Sequence, residues 1–406
     1  MKTVARISLA VLGVIAMACS KPKSGTFADA SKEADYDVSD GMAAPGGDYG
    51  GAPGEGQGGG AEAGVVTAAE WNDLLNWDFW GKLMTGDYSK MNGYWGFNTS
   101  KRIAVKLVGE GDAPVVGVPV KLLKGEECLW ETISDNKGEA NLWLAVNNVQ
   151  DPVSVADCRV DIGGVVQPEA PVVWKWDSAE EVVNTYSASP SASLSNTVDI
   201  AFIVDATGSM GDEISFLKSD LQSILTKVGE METDRTIFTG TVFYRDSDGD
   251  EYLTKFSPFT TDISSTMGFI GEQYADGGGD TPEAVHSALE AALSDLQWHK
   301  AAYSKMAFLI LDAPAHRDHP GVIESLQKSV KQFASMGVKL IPVFCSSYEK
   351  ECEFMCRQFA ILTGGTYVFL TNDSGVGGDH IEASVGDYQV EHLNTLMVRL
   401  ITKYIQ

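Results

Sequence analysis

Basic residues are scarce in this chain. Its 406 residues hold 30 Lys and Arg against 56 Asp and Glu, a formal net charge of −26. Such a surface repels nucleic acid, and no basic stretch beyond the first few residues compensates, so nucleic acid is excluded as a partner. The same charge suits divalent cations and solubility outside the cytoplasm. Long apolar runs are also lacking: past residue 18 none is long enough to cross a bilayer. Cysteines number six, too few for a disulfide framework. Cys128 and Cys158 could bridge within one small domain, and Cys345 could bridge to Cys352 or Cys356; free buried thiols remain the alternative. No His stands at ligand spacing from Cys352 and Cys356, which makes them a poor zinc site. His-Glu-x-x-His and Gly-x-Ser-x-Gly are both missing, which argues against a zinc protease or a serine hydrolase.

The first residues read as a targeting segment. Lys2 and Arg6 precede the apolar stretch Ile7 to Ala18, the pattern of a secretory signal over residues 1–18. Ala16 and Ala18 before Cys19 resemble a bacterial lipoprotein box, with Ala16 where Leu usually stands. That resemblance implies a lipidated Cys19, a membrane anchor and a place in the bacterial cell envelope, at the outer membrane or cell surface. Residues 19–64, which include Gly50-Gly-Ala-Pro-Gly-Glu-Gly-Gln-Gly-Gly-Gly60, cannot bury apolar area and read as a disordered tether.

Residues 65–98 are rich in Trp, with Trp71, Trp77, Trp80 and Trp95. They either pack their indoles on the next domain or expose an aromatic docking patch. Over 99–175 the runs Arg102–Val108, Val118–Leu123 and Ala140–Leu144 alternate with period two, separated by turn signals at Gly109–Asp112 and Asp135–Gly138. That spacing predicts a small antiparallel sandwich. The runs Val115-Val-Gly-Val-Pro-Val-Lys-Leu122 and Thr132-Ile-Ser-Asp-Asn-Lys-Gly-Glu-Ala-Asn-Leu-Trp143 are similar to carboxypeptidase-regulatory-like domains of prealbumin type. The resemblance implies a spacer or interaction module without chemistry. Residues 176–197 read as a Ser- and Ala-rich linker, partly helical.

From residue 198 to 406, apolar strands alternate with helical segments. Strands are predicted at 198–205, 236–244, 251–256, 306–312, 338–344 and 366–370, and helices at 210–228, 282–297, 321–335, 350–362 and 390–405. This alternation implies an α/β domain with a doubly wound, mainly parallel sheet. The hairpin Phe243–Tyr252 would add one antiparallel edge strand.

The first of these strands runs into Asp205-Ala-Thr-Gly-Ser-Met-Gly-Asp-Glu213. A carboxylate followed by two hydroxyls, Thr207 and Ser209, at the carboxyl end of a strand is hard-oxygen chemistry, suited to Mg²⁺, Mn²⁺ or Ca²⁺ rather than zinc. Asp-x-Ser/Thr-x-Ser in this setting resembles the metal-ion-dependent adhesion site of von Willebrand factor A domains. Two further segments extend the resemblance: Gly277-Gly-Gly-Asp-Thr-Pro-Glu-Ala-Val285, and Ala307-Phe-Leu-Ile-Leu-Asp-Ala-Pro314. By that resemblance the metal ligands are Asp205, Thr207 and Ser209 in the first loop, Asp280 in the second and Asp312 in the third. The spelling Asp-Thr-Pro-Glu is closer to integrin β I-like domains, where the Glu faces the metal, so Asp280, Thr281 and Glu283 all stand for loop two. The likeness to integrin β domains also draws in Asp212 and Glu213 as holders of an adjacent Ca²⁺, against their reading as acids favoured by a helix N-terminus. The resemblance implies a protein partner whose Asp or Glu completes the coordination of a divalent cation, Mg²⁺ first, and no catalytic residue. The enzyme alternative is a metal-assisted hydrolase using Asp312 and His316; a third reading is an envelope-assembly component with a structural metal. Asp246-Ser-Asp-Gly-Asp250 reads as a hairpin turn, and His316 and His319 as loop residues within reach of the site.

Overall fold

The computed structural model describes residues 62–406, apart from 145, 148–152, 179, 192, 232, 247–249, 280, 347–348 and 377–381. The expected signal, the lipid site Cys19, the tether up to residue 61 and the candidate ligand Asp280 therefore lie outside the described residues. Among the described residues no helix is long and apolar enough to cross a membrane.

The described chain begins with strand β1 (Thr67–Trp71) and two short helices, α1 (Trp77–Thr85) and α2 (Met91–Trp95). Two small sheets follow. One is ordered β5-β2-β8, from β2 (Arg102–Val108), β5 (Glu139–Trp143) and β8 (Val183–Ser187). The other is ordered β4-β3-β6-β7, from β3 (Pro119–Lys124), β4 (Glu127–Ile133), β6 (Cys158–Ile162) and β7 (Val165–Val166). Period-two alternation places Ile103, Val105, Val120, Leu122, Trp130, Leu142 and Val160 in one shared core. The stretch expected as a partly helical linker supplies β8 instead. Its side chains alternate between exposed and half-buried, and it pairs in parallel with β2. Asn184 stitches it down, donating to the Ala104 and Val172 carbonyls at 3.0 and 2.9 Å.

The five described cysteines are free. For Cys128 and Cys158 the register gives the reason. Cys128 sits opposite Leu123 on one side of β3, and Cys158 opposite Lys124 on the other. Two strand spacings, about 9.5 Å, separate them, well past the reach of a disulfide.

The remaining elements are β9 (Thr197–Asp205), α3 (Ile214–Gly229), β10 (Thr236–Tyr244), β11 (Thr254–Thr260), α4 (Ile263–Glu272), α5 (Val285–Ser294), β12 (Ser304–Leu311), α6 (Val322–Ser335), β13 (Val338–Phe344), α7 (Lys350–Thr363), β14 (Tyr367–Leu370), β15 (Glu391–His392) and α8 (Leu393–Ile405). Their sheet is ordered β11-β10-β9-β12-β13-β14-β1-β15. Strands β10, β9, β12, β13 and β14 run parallel, and β11 is the expected antiparallel edge. Both faces are covered, so these strands read as near-continuous apolar runs. Val198, Ile200, Phe202 and Val204 of β9 pack with α3, α4 and α8, whereas Ala201 and Ile203 pack with α5, α6 and α7. The fold is thus α/β, doubly wound and Rossmann-like.

Helix α4 was not legible, because its Ser and Gly content is poor in helix propensity. Its start is fixed by Asp262, whose carboxylate accepts from the backbone N–H of Ser264 and Ser265 at 3.1 and 3.3 Å. Strand β1 also departs from expectation. It enters the large sheet antiparallel to β14 and β15, with Ala68 and Ala69 fully buried. The Trp-rich segment follows it inward: Trp77, Trp80 and Trp95 are buried, and Trp80 stacks 6.2 Å from Phe354 of α7.

Covered on all sides, α7 buries even its charges. Arg357 reaches Asp73 with two parallel hydrogen bonds of 2.9 and 2.6 Å. It also donates to the Ser384 carbonyl at 2.6 Å, while Glu353 accepts from the Ser384 N–H at 2.7 Å. The planar guanidinium matches a carboxylate in this fork, which makes the burial tolerable.

Candidate metal centre

Parallel sheets place their sites outside the carboxyl ends of the strands, at the point where strand order reverses. Here that point lies between β9 and β12, adjacent strands that lead to opposite sides of the sheet. The residues that leave these two strands are Asp205 and Asp312. Both are buried, Asp205 completely.

Asp205 is locked by its own loop. Its Oδ1 accepts from the Thr207 N–H at 2.9 Å and from the Thr207 hydroxyl at 2.7 Å. The Thr207 hydroxyl is also 3.1 Å from the exposed Ser209 hydroxyl. The loop that follows α4 closes over this turn: the Gly208 N–H donates to the Gly277 carbonyl and the Asp276 N–H to the Ala206 carbonyl. Gly277 adopts φ +75°, and a Cβ there would lie 1.8 Å from Oδ1 of Asp250. Only glycine fits this backbone beside the Asp250 carboxylate, which caps the Gly278 and Asp246 N–H groups.

Glu283 arrives from the other side. Its N–H donates to the Pro314 carbonyl at 2.9 Å, in an isolated parallel bridge with Ala315. It is 2 % exposed, whereas its competitor Thr281 is exposed.

The structure therefore brings together Asp205, Thr207, Ser209, Glu283 and Asp312. Asp205 Oδ2, Glu283 Oε2 and Asp312 Oδ1 are all buried without a hydrogen-bond partner. The hydroxyls of Tyr244, Thr207 and Ser209 lie close enough to pull the respective carboxyls down without closing a bond to these three oxygens. Burial dominates. It pushes Asp205 up to about 7, helped by repulsion from Asp312. It pushes Glu283 to about 9, with Asp205, Asp246 and Asp312 repelling it, and Asp312 to about 6. Uncompensated buried carboxylates are costly, and a cation among them offsets both desolvation and repulsion. The all-oxygen donor set fits a hard divalent ion.

Residues 199–371 match the family model described as von Willebrand factor A domain. The match and the doubly wound sheet together support a von Willebrand factor A domain over these residues. Over 119 residues it is 34 % identical to an ariadne-like RING finger protein of Acanthamoeba polyphaga mimivirus, an overlap of 29 % of this chain and 11 % of that protein. Over 137 residues it is 29 % identical to the alpha-protein kinase vwkA of Dictyostelium discoideum, covering 34 % of this chain and 21 % of the kinase. The chain thus spans at most about a fifth of these relatives. A solved von Willebrand factor type A structure from Catenulispora acidiphila aligns with 42 % of this chain and 38 % of its own, at 16 % identity and TM-score 0.32.

Other residues stand around the carboxylate site, and Tyr244 among them carried no signal in the sequence. Tyr244 ends β10 directly beside Asp205 in the parallel register. Glu213, a candidate either for holding an adjacent Ca²⁺ or as an acid favoured by a helix N-terminus, is buried and accepts from the N–H and hydroxyl of Ser346, tying the start of α3 to the loop after β13. Asp246, which opens the stretch expected as a hairpin turn, lies 2.8 Å from His316 Nε2, and both are buried. The motif was visible in sequence, but its partner 70 residues away was not. An open groove of about 500 Å³, lined by Thr281, Pro314, Arg317, Glu349 and Lys350 among others, flanks the site.

Proposed function

We propose that this chain is a membrane-anchored lipoprotein of the bacterial envelope whose von Willebrand A domain binds a protein partner through a divalent cation. Asp205, Thr207 and Ser209 hold the ion together with Asp312 and Glu283, and an Asp or Glu of the partner supplies the last oxygen. Mg²⁺ is the first choice, with Mn²⁺ and Ca²⁺ as alternatives. When bound, the ion supplies an electrophilic centre for a carboxylate oxygen. The observation that carries this reading is the convergence of three buried carboxylate oxygens without hydrogen-bond partners at the switch point of the sheet. The adjacent groove gives a partner somewhere to seat.

For the second loop we favour Glu283 over Thr281, on its burial and its orphaned Oε2; Asp280 lies outside the described residues. We read the domain as a binding module rather than an enzyme, on its likeness to von Willebrand factor A domains. The two small sheets serve as a spacer of prealbumin type, and lipid at Cys19 supplies the anchor.

The test is calorimetric titration of the chain with Mg²⁺, Mn²⁺ and Ca²⁺, with Asp205→Ala as control. Saturable binding lost in the variant, then metal-dependent capture of an acidic peptide, supports the proposal. Absence of binding to the unaltered protein, or equal binding by the variant, overturns it.

A further inference from the structure

Six histidines occur in the chain, and three gather beside the carboxylate site without belonging to it. His316 and His319 lie on the loop after β12, their rings parallel within 2° and their centroids 4.3 Å apart. One ring nitrogen of each and a carboxylate oxygen of Asp318 all fall within 4.8 Å of one another. His286, in the first turn of α5, sits near both: burial first, then the charge of these two imidazoles, pulls its pKa down. Its Nδ1 is buried without a hydrogen-bond partner. The bridge between Glu283 and Ala315 pins the start of α5 to the loop that carries the other two.

His316 is the fixed member of the group. It is 4 % exposed, with Nε2 2.8 Å from Asp246 Oδ1. A carboxylate on one ring nitrogen sets the tautomer and leaves the lone pair on the other nitrogen, the arrangement found behind metal-ligating histidines. Asp318 and His319 are exposed and free to adjust. At Zn–N distances of 2.0–2.1 Å, ligand atoms of a tetrahedral site stand about 3.3 Å apart. The present spacing is wider, and the two exposed side chains are the members of the group that can turn to close it.

We propose that His316, Asp318 and His319 form a second metal site selective for a borderline transition metal such as Zn²⁺, next to the carboxylate–hydroxyl centre and distinct from it. Imidazole donors favour Zn²⁺, Cu²⁺ and Ni²⁺, whereas the oxygen donors of the first centre favour Mg²⁺, Mn²⁺ and Ca²⁺. Asp246 is a positioning residue that holds His316 from behind.

The experiment uses the full chain with Co²⁺ as a coloured probe for the Zn²⁺ site. Asp205→Ala, which disables the first centre, should retain one equivalent of Co²⁺ with a visible ligand-field band. Zn²⁺ should displace that Co²⁺, and a roughly 100-fold excess of Mg²⁺ should not. His319→Ala in the same background should weaken Co²⁺ and Zn²⁺ binding at least tenfold, and Asp318→Asn severalfold. Both positions are exposed, so unchanged melting in chelator verifies that the variants fold. Three results overturn the proposal: no Co²⁺ or Zn²⁺ bound by Asp205→Ala, a band unchanged by His319→Ala, or displacement by Mg²⁺.

Discussion

Replacing Asp205 with Asn should make the metal-free protein more stable and the Mg²⁺-loaded protein less so. The carboxyl is completely buried, and its pKa rises from 3.8 to about 7. A carboxyl raised on folding binds its proton more tightly in the native state, so stability falls as pH rises from the unfolded value towards the folded one. Above pH 7 the accumulated penalty is about 4 kcal/mol, at 1.36 kcal/mol for each tenfold step. At pH 5 it is less than half as large, roughly 1–2 kcal/mol. Asn is uncharged and keeps an oxygen for the Thr207 N–H and hydroxyl. Those two bonds become weaker, at a cost of about 1 kcal/mol each. The net gain in chelator is roughly 2 kcal/mol at pH 8, and close to nothing at pH 5. In Mg²⁺ at about 100 times its dissociation constant the unaltered protein gains about 2.7 kcal/mol and the variant none, so the order reverses. Thermal or urea unfolding at pH 5 and pH 8, in chelator and in Mg²⁺, measures all four cases. A variant less stable than the parent at pH 8 in chelator, or stabilised equally by Mg²⁺, would refute the electrostatic reasoning.

The other expectations concern the same site and its supports. Mg²⁺ affinity should increase from pH 6 to pH 9, with protons released on binding, because burial and mutual repulsion hold the Asp205, Glu283 and Asp312 carboxyls protonated well above the usual carboxylate range; calorimetry in buffers of different ionisation enthalpy reads the proton count. Glu283→Gln should weaken Mg²⁺ binding at least tenfold while Thr281→Val changes it little, as measured by the same titration. Gly277→Ala should disturb both the φ +75° turn and the Asp250 carboxylate, lowering the melting temperature and the Mg²⁺ affinity together. Asp73→Ala strands the Arg357 guanidinium in the interior and should cost about 3–5 kcal/mol in urea unfolding.

Residue spacing alone was enough to trace the parallel strands of the large sheet and the loops that carry the chemistry. Runs such as Val198–Val204 and Ala307–Leu311 are continuous apolar strands because both faces of the sheet are covered, and their carboxyl ends spell out Asp205 and Asp312. Local signals sufficed there: periodicity is a property of neighbours along the chain. What needed the tertiary structure was everything set by partners far away in sequence. Thr67–Trp71 contains Ala-Ala-Glu, which has no strand preference, and becomes a strand only because β14 and β15 offer it an edge on each side. Val183–Ser187 is a strand because β2 lies beside it. The choice of Glu283 in the second loop came from burial and an orphaned oxygen, neither of which leaves a mark on residue spacing. The gathering of Asp246, His286, His316 and His319 likewise required two loops and a helix start to meet at the end of the sheet. Spacing along a strand or helix fixes which residues share a face; only packing decides which charges must share a low-dielectric interior, and those shared charges set the chemistry of this site.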